Sequence, residues 1–352
     1  MDDRPIDLTT VSDDHAVVHV TRDDGGVDVH IERWLAPDSD FTVDIRDGRV
    51  VAGRSLPRPD GQLLAVVTTV NDVHFGEVEA GRIDDLTDGP IRRPDPGAPP
   101  YPSVMNTAAA ADMAAIEPDA VVVKGDLSDD GHDTEWESFE ACYRTAFRDR
   151  LHVVRGNHDA YRGQHRYAGH QQIDVDGLTI ALLDTVIPEQ TTGRFDDEAA
   201  DWLSTVAAEA DRPVLVMGHH QQWIEGGESG QRPDEYFGIH PDDSDRLDRV
   251  AAEHPAIIGY TAGHTHRHRR RVMTESGVPS IEVGCTKDFP ATWAEHRVYE
   301  GGVMHLVHRI GGDEALRWSE SCRGLYSDFG IDYASYALGD LNDRCFIIPL
   351  RR

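Results

Sequence analysis

The sequence LLAVVTTVNDVH (63–74) joins an apolar run to a short polar cluster that contains Asp72 and His74. The same arrangement of an apolar run and a polar cluster occurs four more times along the chain. The later clusters are KGDLSDD (124–130), GNHD (156–159), GHH (218–220) and GHTH (263–266). Loops at strand ends converge in α/β folds, and Asp, His and Asn side chains bind divalent metals. The five clusters therefore predict a metal site.

Glycine is common in these clusters. A glycine lets the backbone turn tightly, which would bring a neighbouring ligand to the edge of a sheet. Such turns are predicted at four positions: Gly125, Gly156, Gly218 and Gly263.

The apolar runs alternate with stretches of helical periodicity. Six runs are predicted to be buried strands: 63–70, 119–126, 151–157, 178–185, 213–220 and 256–266. Four helices are predicted between them: 103–116, 134–148, 196–210 and 242–253. Thr134 and Glu137 have the spacing of a capping box at the start of the second helix. The alternation predicts a layered α/β (α+β) fold with helices covering the sheets.

Two further parts flank this predicted core, which spans residues 64–270. Residues 1–63 contain short alternating runs separated by turn signals, which predict a small N-terminal antiparallel β module. The module is too small to bury much surface alone, so we expect it to pack on the main domain. A structural cap and a homo-oligomerisation surface are its alternative roles. Residues 271–352 are predicted to be a β-rich C-terminal extension packing on the core.

The composition limits the classes of partner. The chain has 34 Lys and Arg residues against 64 Asp and Glu residues, a formal net charge of −30. This charge argues against a nucleic-acid polymer or an anionic membrane as partner, since both require clustered positive charge. An anionic small molecule stays compatible, because bound metal ions would set the local field. The acidic N-terminus and the lack of a long apolar run favour a cytoplasmic protein.

The four cysteines are far apart and form no CxxC pair. Free thiols are therefore expected, instead of a disulfide framework or a structural zinc site.

The five polar clusters are specific only as a set, because a single one is more often a turn with a surface histidine. Their order, D-x-H, G-D, G-N-H-D, H and G-H-x-H over residues 64–270, resembles the calcineurin-like metallophosphoesterase superfamily. LLDT (182–185), followed by Gly193 and Trp202-Leu203, is similar to the bacterial class III cyclic-nucleotide phosphodiesterase and glycerophosphodiesterase-type branch. The resemblance implies a layered β-sandwich core flanked by helices.

The resemblance also implies a centre of two metal ions. Mixed nitrogen and oxygen ligands accept Mn, Fe or Zn, so the identity of the ions stays open. Seven ligands are implied: Asp72, His74 and His266 for the first ion, Asn157, His219 and His264 for the second, and Asp126 for both. A shared carboxylate holds two ions at about 3.5–4 Å, the spacing of two-metal catalysis. In that scheme a metal-bridging hydroxide is the nucleophile.

Several residues beside the ligands have implied or open roles. His158 is implied to protonate or stabilise the leaving oxygen. Asp159 has two interpretations, a carboxylate that orients His158 by a hydrogen bond and a cap of the turn. Asp129 matches a second acidic position, where support of a ligand is expected instead of direct ligation. Asn71 replaces the Ser or Thr that is usual before the first Asp.

The substrate-binding residues are less determined by the motifs. His219 is preferred to His220 as the metal ligand from the alignment of the strand end, which leaves His220 to contact the substrate. Tyr161, Arg162 and Arg267 directly follow metal motifs and are candidates to line the entrance. The alternative for these three is a solvent-exposed loop or strand face.

The function predicted from these residues is hydrolysis of a small phosphodiester, with cyclic nucleotides and glycerophosphodiesters as leading substrates. A phosphomonoesterase or protein phosphatase of the same superfamily is the enzyme alternative. A non-catalytic scaffold with the phosphoesterase fold is the alternative from a different class. Such scaffolds characteristically lose ligands or the catalytic histidine, whereas this chain has all of them. A small-molecule phosphoester is therefore the expected partner.

Overall fold

Two six-stranded mixed sheets form the centre of the computed structural model, which describes residues 4–82, 90–226 and 232–351. The first sheet contains, in spatial order, β17 (Phe346–Pro349), β16 (Gly302–Arg309), β15 (Thr292–Tyr299), β6 (Leu63–Val70), β7 (Ala120–Lys124) and β8 (Leu151–Val154). The second contains β13 (Arg269–Val272), β14 (Pro279–Glu282), β12 (Ile257–Ala262), β11 (Val214–Met217), β10 (Leu178–Leu182) and β9 (Gln171–Val175). The predicted layered fold is confirmed.

Parallel pairing dominates the middle of each sheet. β6, β7 and β8 are parallel neighbours, as are β10, β11, β12 and β14. Apolar side chains from both sheets meet in one cluster that includes Val67 and Val122 from the first sheet and Ile180, Leu215 and Met217 from the second. All five are fully buried. Strands that are covered on both faces read as continuous apolar runs, which explains why the sequence shows them clearly.

Helices cover the outer faces of the sheets. They are α1 (Tyr101–Ala115), α2 (Asp133–Phe139), α3 (Thr145–Phe147), α4 (Asp197–Glu209), α5 (Pro241–Glu253), α6 (Asp313–Ser321), α7 (Tyr333–Leu338) and α8 (Leu341–Arg344). A π-helical turn spans Glu140–Arg144, and 3₁₀ turns span Arg148–Arg150, His158–Ala160 and Ser327–Phe329. Met105 and Met113 of α1 pack on the first sheet, and Leu203 of α4 and Leu247 of α5 pack on the second.

The predicted capping box of the second helix is wrong by two residues. α2 begins after His132, and the carboxylate of Glu135 accepts hydrogen bonds from the backbone N–H groups of His132 (3.0 Å) and Asp130 (3.1 Å). Glu135 is therefore the acidic residue that reaches back over the helix start. Thr134, the predicted cap, lies inside the first turn.

The N-terminal part is antiparallel, as predicted. β1 (Ile6–Val11), β2 (His15–Thr21) and β3 (Val27–Arg33) form one sheet, and β4 (Asp40–Asp44) and β5 (Val50–Arg54) form a hairpin. The Thr10 hydroxyl donates a hydrogen bond to the Val307 carbonyl of β16 (2.6 Å), so this part contacts the C-terminal strands. Those strands in turn extend the first sheet next to β6. The division into three domains stays a prediction.

Two further features concern the whole chain. Cys285, Cys322 and Cys345 are buried, Cys142 is half-buried, and all four are free thiols. Across the three described ranges, the helices are too short or too polar to cross a membrane.

A buried arginine joins the N-terminal part to the C-terminal helices. The Arg344 guanidinium is 3% exposed and donates to the carbonyls of Leu8 (2.8 Å), Thr9 (3.2 Å) and Gly339 (2.7 Å). We expect Arg344→Met to lower the free energy of unfolding by about 2–4 kcal/mol, because buried carbonyls lose their donor. Urea denaturation measures this. Arg54→Met, at an exposed ion pair, is the control and should cost below about 1 kcal/mol; equal losses would contradict the assignment.

Candidate metal centre

The five polar clusters meet at one edge of the two sheets. Three follow the parallel strands β6, β7 and β8, and two follow β11 and β12. Parallel strands end at the same edge, so the loops after them converge. The structure brings all seven predicted ligands into one group there: Asp72, His74, Asp126, Asn157, His219, His264 and His266.

The first set of ligands is compact. The ligand atoms of Asp72, His74 and His266 all lie within 4.8 Å of one another, and His266 Nε2 is 3.5 Å from Asp72 Oδ1. His74 is 2% exposed, yet neither of its ring nitrogens has a hydrogen-bond partner. Buried polar atoms without partners are rare in folded proteins. A metal ion among these three side chains would give the His74 ring the partner that it lacks.

The second set is held from behind by backbone carbonyls. His219 Nδ1 lies 2.9 Å from the Lys124 carbonyl, and His264 Nε2 lies 2.9 Å from the Phe237 carbonyl. His219 Nε2 is 2.9 Å from Asn157 Oδ1. Metal-binding histidines characteristically donate one ring N–H to such an acceptor and bind with the other nitrogen. The arrangement therefore fits a second ion.

Asp126 lies between the two sets. Its Oδ2 is 3.5 Å from His74 Nε2, and its Oδ1 is 3.3 Å from His219 Nε2. The carboxylate is 2% exposed, and its Oδ1 also accepts the backbone N–H of His158 (3.1 Å). One carboxylate thus presents one oxygen to each set, which is the placement required of a bridging ligand.

The backbone at the ligands is unusual. Five of the seven have left-handed φ angles: Asp72 (53°), His74 (43°), Asp126 (50°), His264 (67°) and His266 (53°). Each such residue costs about 1–3 kcal/mol, and such conformations cluster at functional sites. The chain accepts this cost where the side chains converge.

The glycines beside the ligands act in two ways. Gly125 has a φ of 84°, as a tight turn requires, and a Cβ there would lie 2.4 Å from His219 Nδ1. Gly156 has no left-handed φ, but a Cβ would lie 2.2 Å from Asp126 Oδ1. The predicted turn role therefore applies to Gly125, whereas Gly156 is needed for close approach.

Burial and neighbouring charges shift the pKa values of the ligands. Burial lowers the pKa of His219, but the Asp126 and Asp72 carboxylates outweigh it and raise that pKa to about 9. Burial and the neighbouring His219 lower the pKa of His264 to about 4. Without metal at neutral pH, His219 is therefore protonated and His264 is neutral.

The neighbouring histidine has a different environment. His220 Nδ1 lies 2.8 Å from the Thr185 hydroxyl, and its Nε2 lies 3.2 Å from the Thr191 carbonyl. Both ring nitrogens of His220 thus face groups that are not predicted ligands, whereas His219 Nε2 lies beside the predicted ligands Asn157 and Asp126. The geometry favours His219 as the ligand and offers His220 no free nitrogen for a substrate.

His158 lies at the edge of the centre. Its Nδ1 is 2.6 Å from the Asp129 carbonyl, to which Nδ1 donates a hydrogen bond. Its ring centroid is 4.5 Å from that of His74. Asp129 therefore supports His158 through its backbone carbonyl. Its side chain has a separate property, since burial and the Glu77 carboxylate raise the pKa of the Asp129 carboxyl group to about 6.

Of the two interpretations of Asp159, the structure favours the turn cap, because His158 donates to the Asp129 carbonyl and not to the Asp159 carboxylate. The Asp159 carboxylate accepts backbone N–H groups of Leu127 (3.1 Å), Ser128 (2.9 Å) and Gly156 (2.8 Å) and is fully buried. It ties the loop after β7 to the loop after β8, which is the turn-cap interpretation. The three backbone N–H groups bind the Asp159 carboxylate. The Asp129 carbonyl, and not Asp159, accepts the hydrogen bond from His158.

Comparison with known proteins agrees with this geometry. The calcineurin-like phosphoesterase family matches residues 66–268, more than half of the chain. This chain belongs to the calcineurin-like phosphoesterase family.

Two curated proteins are similar to this chain in sequence. A probable cyclic nucleotide phosphodiesterase of a Synechococcus species is 26% identical over 207 residues, which cover 56% of this chain and 78% of that protein. A probable cyclic nucleotide phosphodiesterase of Rhodococcus erythropolis is 28% identical over 121 residues, 30% of this chain and 40% of that protein. A dimetal phosphatase from Danio rerio shares the fold, with a TM-score of 0.54, 16% identity and coverage of 70% of this chain and 96% of that chain.

Three candidate substrate residues have protein partners in this phosphoesterase. The Tyr161 hydroxyl accepts a hydrogen bond from Asn157 Nδ2 (2.6 Å), so it positions a ligand. Arg162 is exposed and pairs with Asp130 (3.0 Å). Arg267 is 5% exposed and pairs with Glu282 (2.8 Å), which offsets its charge. The Arg267 side chain thus turns towards the second sheet, and its place at the entrance stays a prediction.

Sequence reasoning missed a group that follows β14. Asp288 is fully buried, and its Oδ2 is 4.0 Å from His266 Nδ1 on the side away from Asp72. Lys287 is also buried and pairs with Glu77 (2.6 Å). The signal was present, since the run VPSIEV (278–283) reads as a strand and the charged pair follows it.

Replacing His219 and His220 one at a time tests which of the two binds metal. We expect His219→Gln to reduce the metal content from two ions per chain to one, because the second set loses a ligand. His220→Gln is the matched control and should retain two ions. Elemental analysis after gel filtration measures both. Loss of an ion from the His220 variant alone would reverse the assignment.

The raised pKa of His219 predicts proton release on metal binding. Since that pKa is about 9, the ring is protonated at pH 7.5 and must lose its proton to bind an ion. Titration calorimetry in buffers of different ionisation enthalpy should show this release at pH 7.5 and a smaller release at pH 10. In His219→Gln the release should fall by about one proton; an unchanged release would contradict the prediction.

Proposed function

We propose that this phosphoesterase hydrolyses small phosphodiesters, with cyclic nucleotides and glycerophosphodiesters as leading substrates, at a centre of two metal ions. The position of Asp126 between two sets of ligands carries this proposal, because it provides a shared site for two cations. The names of the two similar bacterial proteins, both probable cyclic nucleotide phosphodiesterases, support a diester.

The residues present fit two ions of the first transition series. Imidazole nitrogens and carboxylate or amide oxygens form both sets, a donor mixture that Mn, Fe and Zn accept. When bound, two such ions offset charge on the phosphoryl oxygens and activate water at neutral pH. The buried, unpartnered nitrogens of His74 are the observation that favours an ion at the first set.

Basic side chains beside the centre are already paired with acids. Arg162 pairs with Asp130, and Lys287 pairs with Glu77. Arg267 is similarly paired within the second sheet. Charge to bind the phosphate must therefore come mainly from the ions, so we propose that substrate binding itself depends on the metal.

His158 is the residue proposed to act on the leaving group. The Asp129 carbonyl holds Nδ1 and fixes the ring, which leaves Nε2 to carry a proton to or from a substrate oxygen. The ring is only partly buried, so a substrate can reach it. A positioned general acid of this kind contributes about 10²–10⁴-fold to a rate.

Turnover of variants on a substrate series tests the proposal. We expect His158→Ala to lower kcat about 10²–10⁴-fold on diesters with alkoxide leaving groups and less on p-nitrophenyl diesters, whose leaving group needs no proton. The metal content should stay at two ions per chain. Asp126→Ala should lose both ions and the activity. His30→Ala, remote in β3, is the control.

Metal-stripped protein reloaded with Mn, Fe or Zn should be assayed on diesters and monoesters together. A higher kcat/KM for diesters supports the proposal, and a higher value for monoesters would replace it with a phosphomonoesterase. Unchanged turnover in both the Asp126 and His158 variants would remove the enzyme hypothesis.

A further inference from the structure

An open cleft of about 320 Å³ lies beside two of the metal-binding histidines. Its lining includes His264 and His266 on one side and Tyr326, Tyr333 and Tyr336 on the other. Among the described residues that line it there is no Asp, Glu, Lys or Arg side chain. The volume lies within the range of small-ligand pockets. An aromatic space without acidic or basic side chains in its lining therefore adjoins two of the predicted metal ligands.

The tyrosines of the cleft are fixed to the loops of the metal centre. The Tyr336 hydroxyl donates to the Thr265 carbonyl (3.0 Å), between the two histidines. The Tyr333 hydroxyl donates to Asp288 Oδ1 (2.8 Å). The rings of Tyr326 and Tyr333 meet edge to face, with centroids 5.0 Å apart and planes at 77°. The wall is thus rigid with respect to the ligands and is not a loose surface loop.

Apolar side chains are exposed around the mouth of the cleft. Ile331, which lines it, is 41% exposed. Phe237 is 46% exposed, and its ring lies 5.5 Å from that of His264. Thr265, also in the lining, has a buried hydroxyl without a hydrogen-bond partner. Exposed apolar groups that surround a concave site mark ligand binding.

We propose that this cleft binds the nucleobase of the substrate, which makes nucleoside phosphodiesters the preferred class over glycerophosphodiesters. The inference rests on the proposed function. A nucleobase is flat and uncharged, and each of the bases can stack on aromatic side chains. Glycerol offers no flat face to stack on the partly buried rings of Tyr326 and Tyr336 and would leave Ile331, which is 41% exposed, uncovered. Because His264 and His266 line the cleft, a base bound there and a phosphate bound at the metal centre can belong to one substrate.

A choline group is the competing occupant, because tyrosines also bind quaternary ammonium ions. Tyr336 already makes one cation–π contact, since the Arg267 guanidinium lies 5.0 Å from the centroid of its ring. Among the described residues the lining of the cleft includes no Asp or Glu, so a choline group would find no carboxylate there to offset its charge. The lining therefore favours the neutral base.

The test compares two diesters on the metal-loaded protein, a 3′,5′-cyclic nucleotide and the same cyclic ribose phosphate without the base. The quantity measured is the ratio of their kcat/KM values. Tyr336→Ala should lower this ratio about 10- to 100-fold, the size of one lost stacking interaction. Tyr336→Phe keeps the ring and should keep the ratio. Ile331→Ser, at an exposed position that tolerates polarity, should lower the ratio severalfold.

Phe329→Ala is the matched control, because Phe329 is a 38% exposed aromatic residue in the same segment that does not line the cleft. Its ratio should equal that of the wild type. Equal ratios in all variants, or faster hydrolysis of glycerophosphocholine than of the cyclic nucleotide, would overturn the inference and leave the diesterase standing.

Binding of adenosine, measured by calorimetry, separates the two proposals. Weaker binding to Tyr336→Ala than to the wild type supports the cleft even if no diester is hydrolysed. Adenosine that does not bind the wild type, or binds both proteins equally, overturns it.

Discussion

Two buried carboxylates, Asp72 and Asp126, set the main constraint on this structure. Anionic groups in a protein interior are stable only with close, well-placed partners. The imidazoles of His219 and His266 supply part of that compensation within 3.5 Å. Bound cations would supply the remainder, and the rings that converge with a nitrogen turned inward fit that role. Left-handed backbone at the ligands and a bare Cα at Gly156 are consequences of fitting this group into one edge of a sandwich.

The topology provides that edge. Parallel strands in two facing sheets deliver five loops to one place, so each loop needs to contribute only one or two side chains. Asp159 joins two of these loops by accepting three backbone N–H groups, which makes the relative position of β7 and β8 rigid. Residues such as Asp159, which hold the ligand loops in place, are therefore as necessary for the geometry of the centre as the ligands themselves.

Sequence patterns predicted those parts of the molecule in which the same short pattern, an apolar run followed by a polar cluster, recurs. Apolar runs marked the central strands because these are covered on both faces, and the polar clusters after them marked the ligands. Strands β1, β9, β13 and β15 were not predicted, because their polar residues hide the pattern. The direction of a side chain after a motif cannot be read from spacing, so the turn of the Arg267 side chain towards Glu282 was not predicted. The tyrosines of the cleft lie far from every motif, and only the folded chain brings them to His264 and His266.

The pairing of β6 with β15 has a consequence for biosynthesis. Thr69 lies opposite Ala294 in this antiparallel pair, so β6, which precedes Asp72, receives its second neighbour only when most of the chain has been made. Contacts between residues so distant in sequence form slowly, since a long loop must close first. Until then one edge of β6 is open, and an open strand edge invites association with other chains. The acidic surface, with a net charge of −30, would oppose such association by mutual repulsion of nascent chains.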